Sequence, residues 1–170
     1  MVTTYRAPLL DVRLGKFALL RRIDDSYAVL RAELWDAARR SPAARPAGGC
    51  RWSLGDHLAH LVAWEAIELA RVEGRSGAAE ALSLLWQAGR RLVRRDHCVE
   101  AGMERFRELH TCLMSALSDL PERALRGSWH PAYPTSLAAE LVRNTQRHYE
   151  VHAAAIRKLP SLRHARDRNA

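Results

Sequence analysis

Apolar side chains recur every three or four residues over four long stretches of the chain, the spacing that marks one buried face of an α-helix. The first stretch covers residues 16–40 and ends before the sequence SPAARPAGG, whose prolines and glycines cannot continue a helix. The pattern therefore predicts a first amphipathic helix. Its predicted buried face consists of Phe17, Leu20, Ile23, Tyr27, Leu30 and Leu34.

The second predicted helix begins at Ser53, where Asp56 three residues later forms a capping box with a shorter acid than the usual Glu. It runs to about Glu73 and is closed by Gly74 and Gly77. The stretch 78–95 has the composition of a shorter helical connection. Its apolar residues include Leu82, Leu85 and Trp86.

The third helix is predicted to follow Asp96 and to end before Pro121. The fourth begins with a cap near Thr135 or Ser136. The predicted buried face of the third helix is Val99, Met103, Phe106, Leu109, Leu113 and Leu117. That of the fourth is Leu137, Leu141, Thr145, His148, His152 and Ile156.

Four amphipathic helices without a strand pattern predict an all-α fold, a four-helix bundle with a short additional helical connection between helices 2 and 3. At 170 residues the chain has the length of one domain. We expect a single domain over 1–170, with its core in 16–159 and a short basic tail over 160–170.

Two histidines of the fourth helix have the spacing of metal ligands. His148 and His152 are four residues apart, so both imidazoles project from one side of the helix and can reach one ion. An isolated pair of this kind is more often structural, with both rings satisfied by hydrogen bonds. Here both fall on the predicted buried face, where packing alone would favour aliphatic side chains.

The second helix offers a third candidate ligand in the sequence DHLAHLVAWE. His60 shares a face with Trp64, whereas His57 lies nearer the capped end, where we expect it to be solvated or bonded at the surface. His60, His148 and His152 with one open coordination position describe a catalytic zinc or nickel site. These three histidines are the predicted catalytic and metal-binding residues.

Aromatic side chains near the histidines are candidates for lining a ligand pocket. They are Trp64, Tyr149 and Trp129, although a tryptophan in a bundle more often belongs to the core. Cys112, in the middle of the third helix, is interpreted as a small buried apolar residue rather than a nucleophile.

Charge changes this picture little. The chain has 27 Lys and Arg against 19 Asp and Glu, a net charge of +8. Because the basic residues are spread along the sequence, a dispersed solvated surface is favoured over a dedicated DNA-binding face. Weak association with DNA through this surface stays open as an alternative.

Cysteine usage and the N-terminal sequence bear on the compartment. Three cysteines without CxxC spacing form neither a disulfide framework nor a zinc knuckle. The N-terminal residues lack the apolar core of a signal peptide, and no run is long and apolar enough for a membrane span. We therefore expect a cytoplasmic protein with no membrane partner.

Two segments carry a resemblance to a known family. RWSLGDHLAHLVAWE and SLAAELVRNTQRHYEVHAAAIRKL resemble diagnostic segments of the DinB-like superfamily, and specifically of its ClbS/DfsB branch. KFALLRRIDDSYAVLRAEL and ERFRELHTCLMSALSDLPERAL look like the first and third helices of that branch. The combination of a DxLAHLxxW helix with an NTxxHYxxH helix is more specific than either half alone.

The resemblance implies a four-helix bundle, often dimeric, with a pocket between its helices. In many DinB-like proteins three histidines there bind a divalent metal, and the matching positions are His60, His148 and His152. Relatives include transferases and isomerases that use bacillithiol or mycothiol. Members of the ClbS type protect cells from DNA-alkylating metabolites by hydrolysing the strained ring of the warhead, and some of them have lost the three histidines.

Three hypotheses about function follow. The leading one is self-protection or detoxification, in which the pocket binds a small electrophilic metabolite and inactivates it by hydrolysis. The second is a metal- and thiol-dependent transferase or isomerase, with a low-molecular-weight thiol as cofactor. The third is a non-enzymatic protein that sequesters a ligand or binds DNA.

Overall fold

The computed structural model describes residues 15–40, 52–74, 99–130 and 133–159. Long helices dominate this part of the chain, and α2 packs along α3 while α1 packs along α6. The predicted all-α helical bundle is confirmed. The elements are α1 (Lys16–Arg40), α2 (Leu54–Val72), α3 (Val99–Asp119), α4 (Glu122–Arg126), β1 (Ser128–His130), β2 (Tyr133–Ser136), α5 (Leu137–Asn144) and α6 (Gln146–Arg157).

Some predictions lie outside the described residues. They are the helical connection over 78–95 with Trp86, the start of the third helix at Asp96 and the basic tail over 160–170. Within the part of the chain that the structure describes, no helix has the length and apolar character needed to cross a membrane.

Helix α1 has the predicted bounds but a partly different buried face. Phe17 is 78% exposed, and Leu20 is only partly buried. Each helical residue turns by 100°, so Phe17 lies 200° round the helix from the buried Leu19 and faces away from the core. The prediction for Phe17 is wrong. The buried face consists of Leu19, Ile23, Tyr27, Leu30, Leu34 and Ala37.

The ends of α2 follow the sequence signals closely. Ser53 accepts a hydrogen bond from the backbone of Asp56, and the Asp56 carboxylate accepts one from the Ser53 backbone, so the predicted capping box is confirmed. Gly74 after the helix has a φ of +68°, a left-handed conformation that glycine adopts without strain. The capping box fixes the residue at which α2 begins.

Helix α3 buries all six of its predicted apolar residues. It also buries His110, which the apolar pattern did not include. The chain then forms the short helix α4, which places Leu125 in the core. The predicted buried face of α3 is confirmed, and its buried polar residue His110 was missed.

A short hairpin precedes the last helices, so the expectation of no strands is wrong there. Strands β1 and β2 pair antiparallel, with Ser128 opposite Ser136 and His130 opposite Tyr133, and the register is irregular between these pairs. Strands of three and four residues are too short to give a reliable alternation in the sequence. The hairpin ends at Ser136, the N-cap residue of α5. Its side chain accepts a hydrogen bond from the backbone N–H of Ala139, in agreement with the predicted cap near Thr135 or Ser136.

The predicted fourth helix is interrupted at Thr145, between α5 and α6. The Thr145 hydroxyl donates to the carbonyl of Leu141 at 2.6 Å, and its backbone dihedrals depart from the helical values with φ at −114° and ψ at −79°. A threonine that bonds back to residue i−4 bends a helix. The bend separates Asn144 from the histidines that follow on α6.

Candidate metal centre between α2 and α6

Two faces of the bundle carry polar side chains where aliphatic ones would otherwise pack. On α2 the positions His57, His60 and Trp64 follow one another at steps of three and four residues, so they lie on one side of that helix. On α6 His148 and His152 do the same. The structure brings these two faces together.

The three predicted ligands converge at their Nε2 atoms. Nε2 of His148 lies 2.9 Å from Nε2 of His60 and 3.0 Å from Nε2 of His152. The three residues form a group whose candidate ligand atoms all lie within 4.8 Å of one another. The predicted trio is therefore assembled as one cluster, named here the histidine triad.

Burial keeps the triad neutral. It lowers the pKa of His60 to about 4, with a further contribution from His57, and that of His148 to about 4, with a further contribution from His60. Burial also lowers the pKa of His152 to about 2, together with the three neighbouring histidines. At neutral pH each ring therefore has one nitrogen lone pair, the form that binds a metal ion.

The donor set and its geometry fit a divalent ion. A neutral imidazole has one lone pair and one N–H, so the Nε2 atom of His148 cannot form good hydrogen bonds to two other imidazoles at once. An ion between the rings satisfies three lone pairs together. Bonds of about 2.0–2.1 Å in a tetrahedral zinc site put nitrogen ligands roughly 3.3 Å apart, a few tenths of an ångström beyond the distances here.

His57 adjoins the histidine triad, contrary to the expectation that it is solvated or bonded at the surface. It is 5% exposed, and its Nδ1 lies 2.9 Å from Nδ1 of His152. Burial lowers the pKa of His57, so it too is neutral. The signal for it was present in the sequence, because His57 precedes His60 by three residues and hence shares its face.

Two tryptophans enclose the histidines. The Trp64 ring packs 5.9 Å from that of His60 and 5.2 Å from that of His148, and its Nε1 donates to the Asn144 carbonyl at 2.8 Å. The Trp52 ring lies 5.0 Å from that of His60 on another side. Trp64 thus occupies the predicted position beside the triad, and Trp52, next to the cap of α2, was missed.

Tyr149 is not brought to the histidine triad. Its ring is completely buried on another side of α6, and its hydroxyl donates to Glu65, 2.6 Å from both carboxylate oxygens. Burial, then the charge of Glu65, raises the pKa of Tyr149 well above its ordinary value, so the hydroxyl stays a donor. Since neighbouring helical residues point 100° apart, Tyr149 diverges from His148 just as Glu65 diverges from Trp64.

Glu65 and Tyr149 form a second buried polar cluster with His110. Nδ1 of His110 lies 2.9 Å from the Glu65 carboxylate. Nε2 of His110 lies 3.6 Å from the carboxylate of Asp24, a largely exposed residue. The Tyr27 ring stacks on the His110 ring, with centroids 3.7 Å apart and planes within 6°. We name Glu65, His110 and Tyr149 the carboxylate cluster.

A second buried acid lies further along α2. Glu68 pairs with Arg71 and accepts a hydrogen bond from the Asn144 side chain at 3.2 Å. Burial raises the pKa of Glu68 to about 7, against the opposing effect of Arg71. Asn144 therefore contacts both Trp64, through its carbonyl, and Glu68.

Two further sequence predictions concern single residues. Trp129 lies in β1, but its side chain is outside the described part of the chain. Cys112 is exposed on α3, so the interpretation as a buried apolar residue is wrong. Cys112 directly precedes the buried Leu113. Because each helical residue turns by 100°, its side chain points about 100° away from that of Leu113.

The described fold and site define a helical-bundle protein with a candidate three-histidine metal centre. Among solved structures, the crystal structure of the colibactin self-resistance protein ClbS in complex with a dsDNA has the same fold, with a TM-score of 0.67. The two chains are 19% identical over 85% of this chain and 94% of that one. No family model and no curated protein sequence matches this chain.

Proposed function

We propose that this protein inactivates a small electrophilic metabolite of the DNA-alkylating type by adding water to it, in a pocket beside the histidine triad. The observation that carries the proposal is the convergence of three neutral imidazoles, with Nε2 of His148 2.9 Å from Nε2 of His60 and 3.0 Å from Nε2 of His152, next to two indole rings. A purely structural core would place aliphatic side chains there, because burying four imidazoles costs free energy.

The ClbS-like fold supports a protective role. ClbS is a colibactin self-resistance protein, and its crystal structure contains dsDNA. At 19% identity the likeness shows the fold alone, so the substrate class is carried over only as a proposal. The chemistry of the site has to support it independently.

In this proposal His60, His148 and His152 hold a divalent ion, zinc or nickel, through Nε2. Such an ion supplies Lewis acidity and one open coordination position to the reaction. The Trp64 and Trp52 rings pack against the histidines and offer flat apolar surfaces to an unsaturated ligand. The hydrogen bond from Trp64 to the Asn144 carbonyl fixes the orientation of that indole.

The proposed reaction is a hydrolytic ring opening. The oxygen of water bonds to the electrophilic carbon of a strained ring, and the ring bond at that carbon breaks. The released electron pair takes up a proton, so that the net change is the addition of one water molecule. The product no longer alkylates DNA because its electrophilic carbon carries a hydroxyl group.

A thiol-dependent transferase is the second candidate function. Three neutral ligands leave the positive charge of an ion uncompensated, which favours an anionic fourth ligand such as the thiolate of a small cofactor. Turnover that requires an added low-molecular-weight thiol would support this candidate. Turnover in the absence of thiol would support hydrolysis.

The test uses a synthetic cyclopropane-bearing alkylating probe and duplex DNA, with excess probe over protein. We expect wild-type protein to protect the DNA catalytically and to form a product heavier than the probe by one water molecule. His148→Ala should lose both effects, whereas Val151→Ala, exposed on the same helix, should keep them. Protection that stops at one probe molecule per chain would overturn catalysis in favour of sequestration.

Binding to DNA by itself is tested in the same preparation. Several basic side chains of the described surface pair with acids on their own helix, as Arg107 does with Glu104 and Arg126 with Glu122. We therefore expect protection to persist at salt concentrations that release electrostatic DNA complexes. Protection that disappears in parallel with DNA binding would favour shielding of DNA over inactivation of the probe.

A further inference from the structure

His152 uses both of its ring nitrogens. Nε2 faces the triad, 3.0 Å from Nε2 of His148, and Nδ1 lies 2.9 Å from Nδ1 of His57. His57 comes from the first turns of α2, whereas His152 comes from the middle of α6. The contact between the two Nδ1 atoms therefore links the triad to a residue outside it.

The proton positions in this pair follow from the chemistry of imidazole. Two nitrogens 2.9 Å apart share one proton, so one ring donates and the other accepts. A neutral His152 that offers its Nε2 lone pair to an ion must carry its proton on Nδ1. It then donates to His57, whose Nδ1 is the acceptor and whose own proton is on Nε2.

The surroundings of His57 hold it in this role. Its ring is buried, and its Nε2 atom has no hydrogen-bond partner among the residues that the structure describes. The Trp52 ring packs 5.3 Å from the His57 ring at 61° and 5.9 Å from the His152 ring. The Trp52 indole therefore packs against both imidazoles of the pair. Within the described chain, the only observed polar contact of the His57 ring is the one with His152.

Packing alone does not account for a histidine at this position. A leucine would fill similar space without burying a polar nitrogen that lacks a partner, so the imidazole carries a free-energy cost. The feature that a leucine could not reproduce is the acceptor at Nδ1. Metal-binding histidines commonly donate their second N–H to a carboxylate, a backbone carbonyl or water, and this bond fixes the tautomer and the ring orientation.

We propose that His57 is a positioning residue of the histidine triad: it accepts the Nδ1 proton of His152 and thereby directs the Nε2 lone pair of His152 at a divalent ion. The inference rests on the proposed metal centre. It adds an unusual feature, because the acceptor is a neutral imidazole rather than a carboxylate. A neutral acceptor leaves the whole positive charge of the ion available to the fourth ligand.

The test compares two amides that differ in reach. In His57→Asn the side-chain oxygen stands where Nδ1 of histidine lies, whereas in His57→Gln the polar group stands where Nε2 lies. Zn²⁺ affinity is measured by competition with a chromophoric chelator on the full chain at neutral pH. We expect His57→Gln to bind Zn²⁺ about 10–100-fold more weakly than wild type, and His57→Asn to recover most of that loss.

Thermal unfolding of the metal-free variants separates positioning from folding. A residue with only a structural role would lower the unfolding temperature of both variants without separating their Zn²⁺ affinities. Equal affinity of wild type and His57→Gln would overturn the role of His57 while leaving the metal centre intact. A wild-type chain that binds no Zn²⁺ would overturn the metal centre and this inference with it.

Discussion

Two buried polar clusters lie on different sides of the same pair of helices, and they differ in how well their donors and acceptors match. In the carboxylate cluster, the Glu65 carboxylate accepts from the Tyr149 hydroxyl and contacts Nδ1 of His110, so an acceptor faces two groups that can donate to it. In the histidine triad, Nε2 of His148 faces the Nε2 atoms of His60 and His152, so nitrogen faces nitrogen.

The difference separates a cluster whose contacts suit a stabilising role in the fold from one whose donor set could hold a metal ion. Adjacent residues serve the two sides, Trp64 beside Glu65 on α2 and His148 beside Tyr149 on α6, because each helical residue turns by 100°. The bond between Tyr149 and Glu65 fixes how α6 is rotated against α2. Because Tyr149 follows His148 along α6, the same bond also constrains how His148 faces α2.

The largest expected effect is on stability, from Glu65→Ala. The variant leaves the Tyr149 hydroxyl and His110 buried without their acceptor, at about 1–3 kcal/mol each, and adds a cavity. We expect the free energy of unfolding of the metal-free protein to fall by about 3–5 kcal/mol in urea titrations. Glu150→Ala, exposed on α6, is the control and should change it by less than about 0.5 kcal/mol. A loss below that of the control would mean that the cluster does not stabilise the fold.

The histidine triad should show the opposite behaviour, with stability that depends on metal. At a free Zn²⁺ concentration 100 times the dissociation constant, binding stabilises the folded chain by about 2.7 kcal/mol. We expect this gain in the wild-type protein and none in the His148→Ala, His152→Ala double variant. The measurement is thermal unfolding with and without Zn²⁺. A similar gain in both proteins would locate the ion elsewhere.

A smaller effect is expected on how the stability of the metal-free protein depends on pH, and it comes from the histidine triad. His60 and His148 have pKa values of about 4 in the folded chain, against 6.5 ordinarily. Below pH 6.5 the unfolded chain takes up protons that the folded chain does not, so this contribution to stability is complete above pH 6.5 and is lost as the pH falls towards 4.

We therefore expect the metal-free wild type to lose about 1–2 kcal/mol more than the His148→Ala, His152→Ala variant between pH 6.5 and 5.5. Urea titrations at a series of pH values measure the difference. Parallel pH profiles for the two proteins would show that the histidines titrate as solvated groups and would contradict the burial of the triad.

Local signals in the sequence predicted much of the fold. The capping box at Ser53 and Asp56, the cap at Ser136 and the buried face of α3 all depend on residues a few positions apart, so the sequence contains them directly. Phe17 was misassigned because the periodicity of one helix does not say where its partners lie. The hairpin was missed because backbone pairing over three or four residues leaves little pattern.

The sequence predicted those parts of the site that depend on which residues share a face of a single helix. His60, His148 and His152 share faces that are visible in the sequence, and the structure brings them together. The pairing of His57 with His152 depends on how α2 and α6 are placed along each other, which no local spacing reports. The same holds for Tyr149, whose side of α6 meets Glu65 and His110 rather than the triad.

The most direct test of the central claim is the metal content per chain of protein purified without a histidine tag and then equilibrated with Zn²⁺ or Ni²⁺. We predict about one divalent ion per wild-type chain and close to none in the His148→Ala, His152→Ala variant, with Val151→Ala retaining the ion. Wild-type protein that binds no ion, or a double variant that binds as much as wild type, would contradict the assignment of the histidine triad as a metal centre.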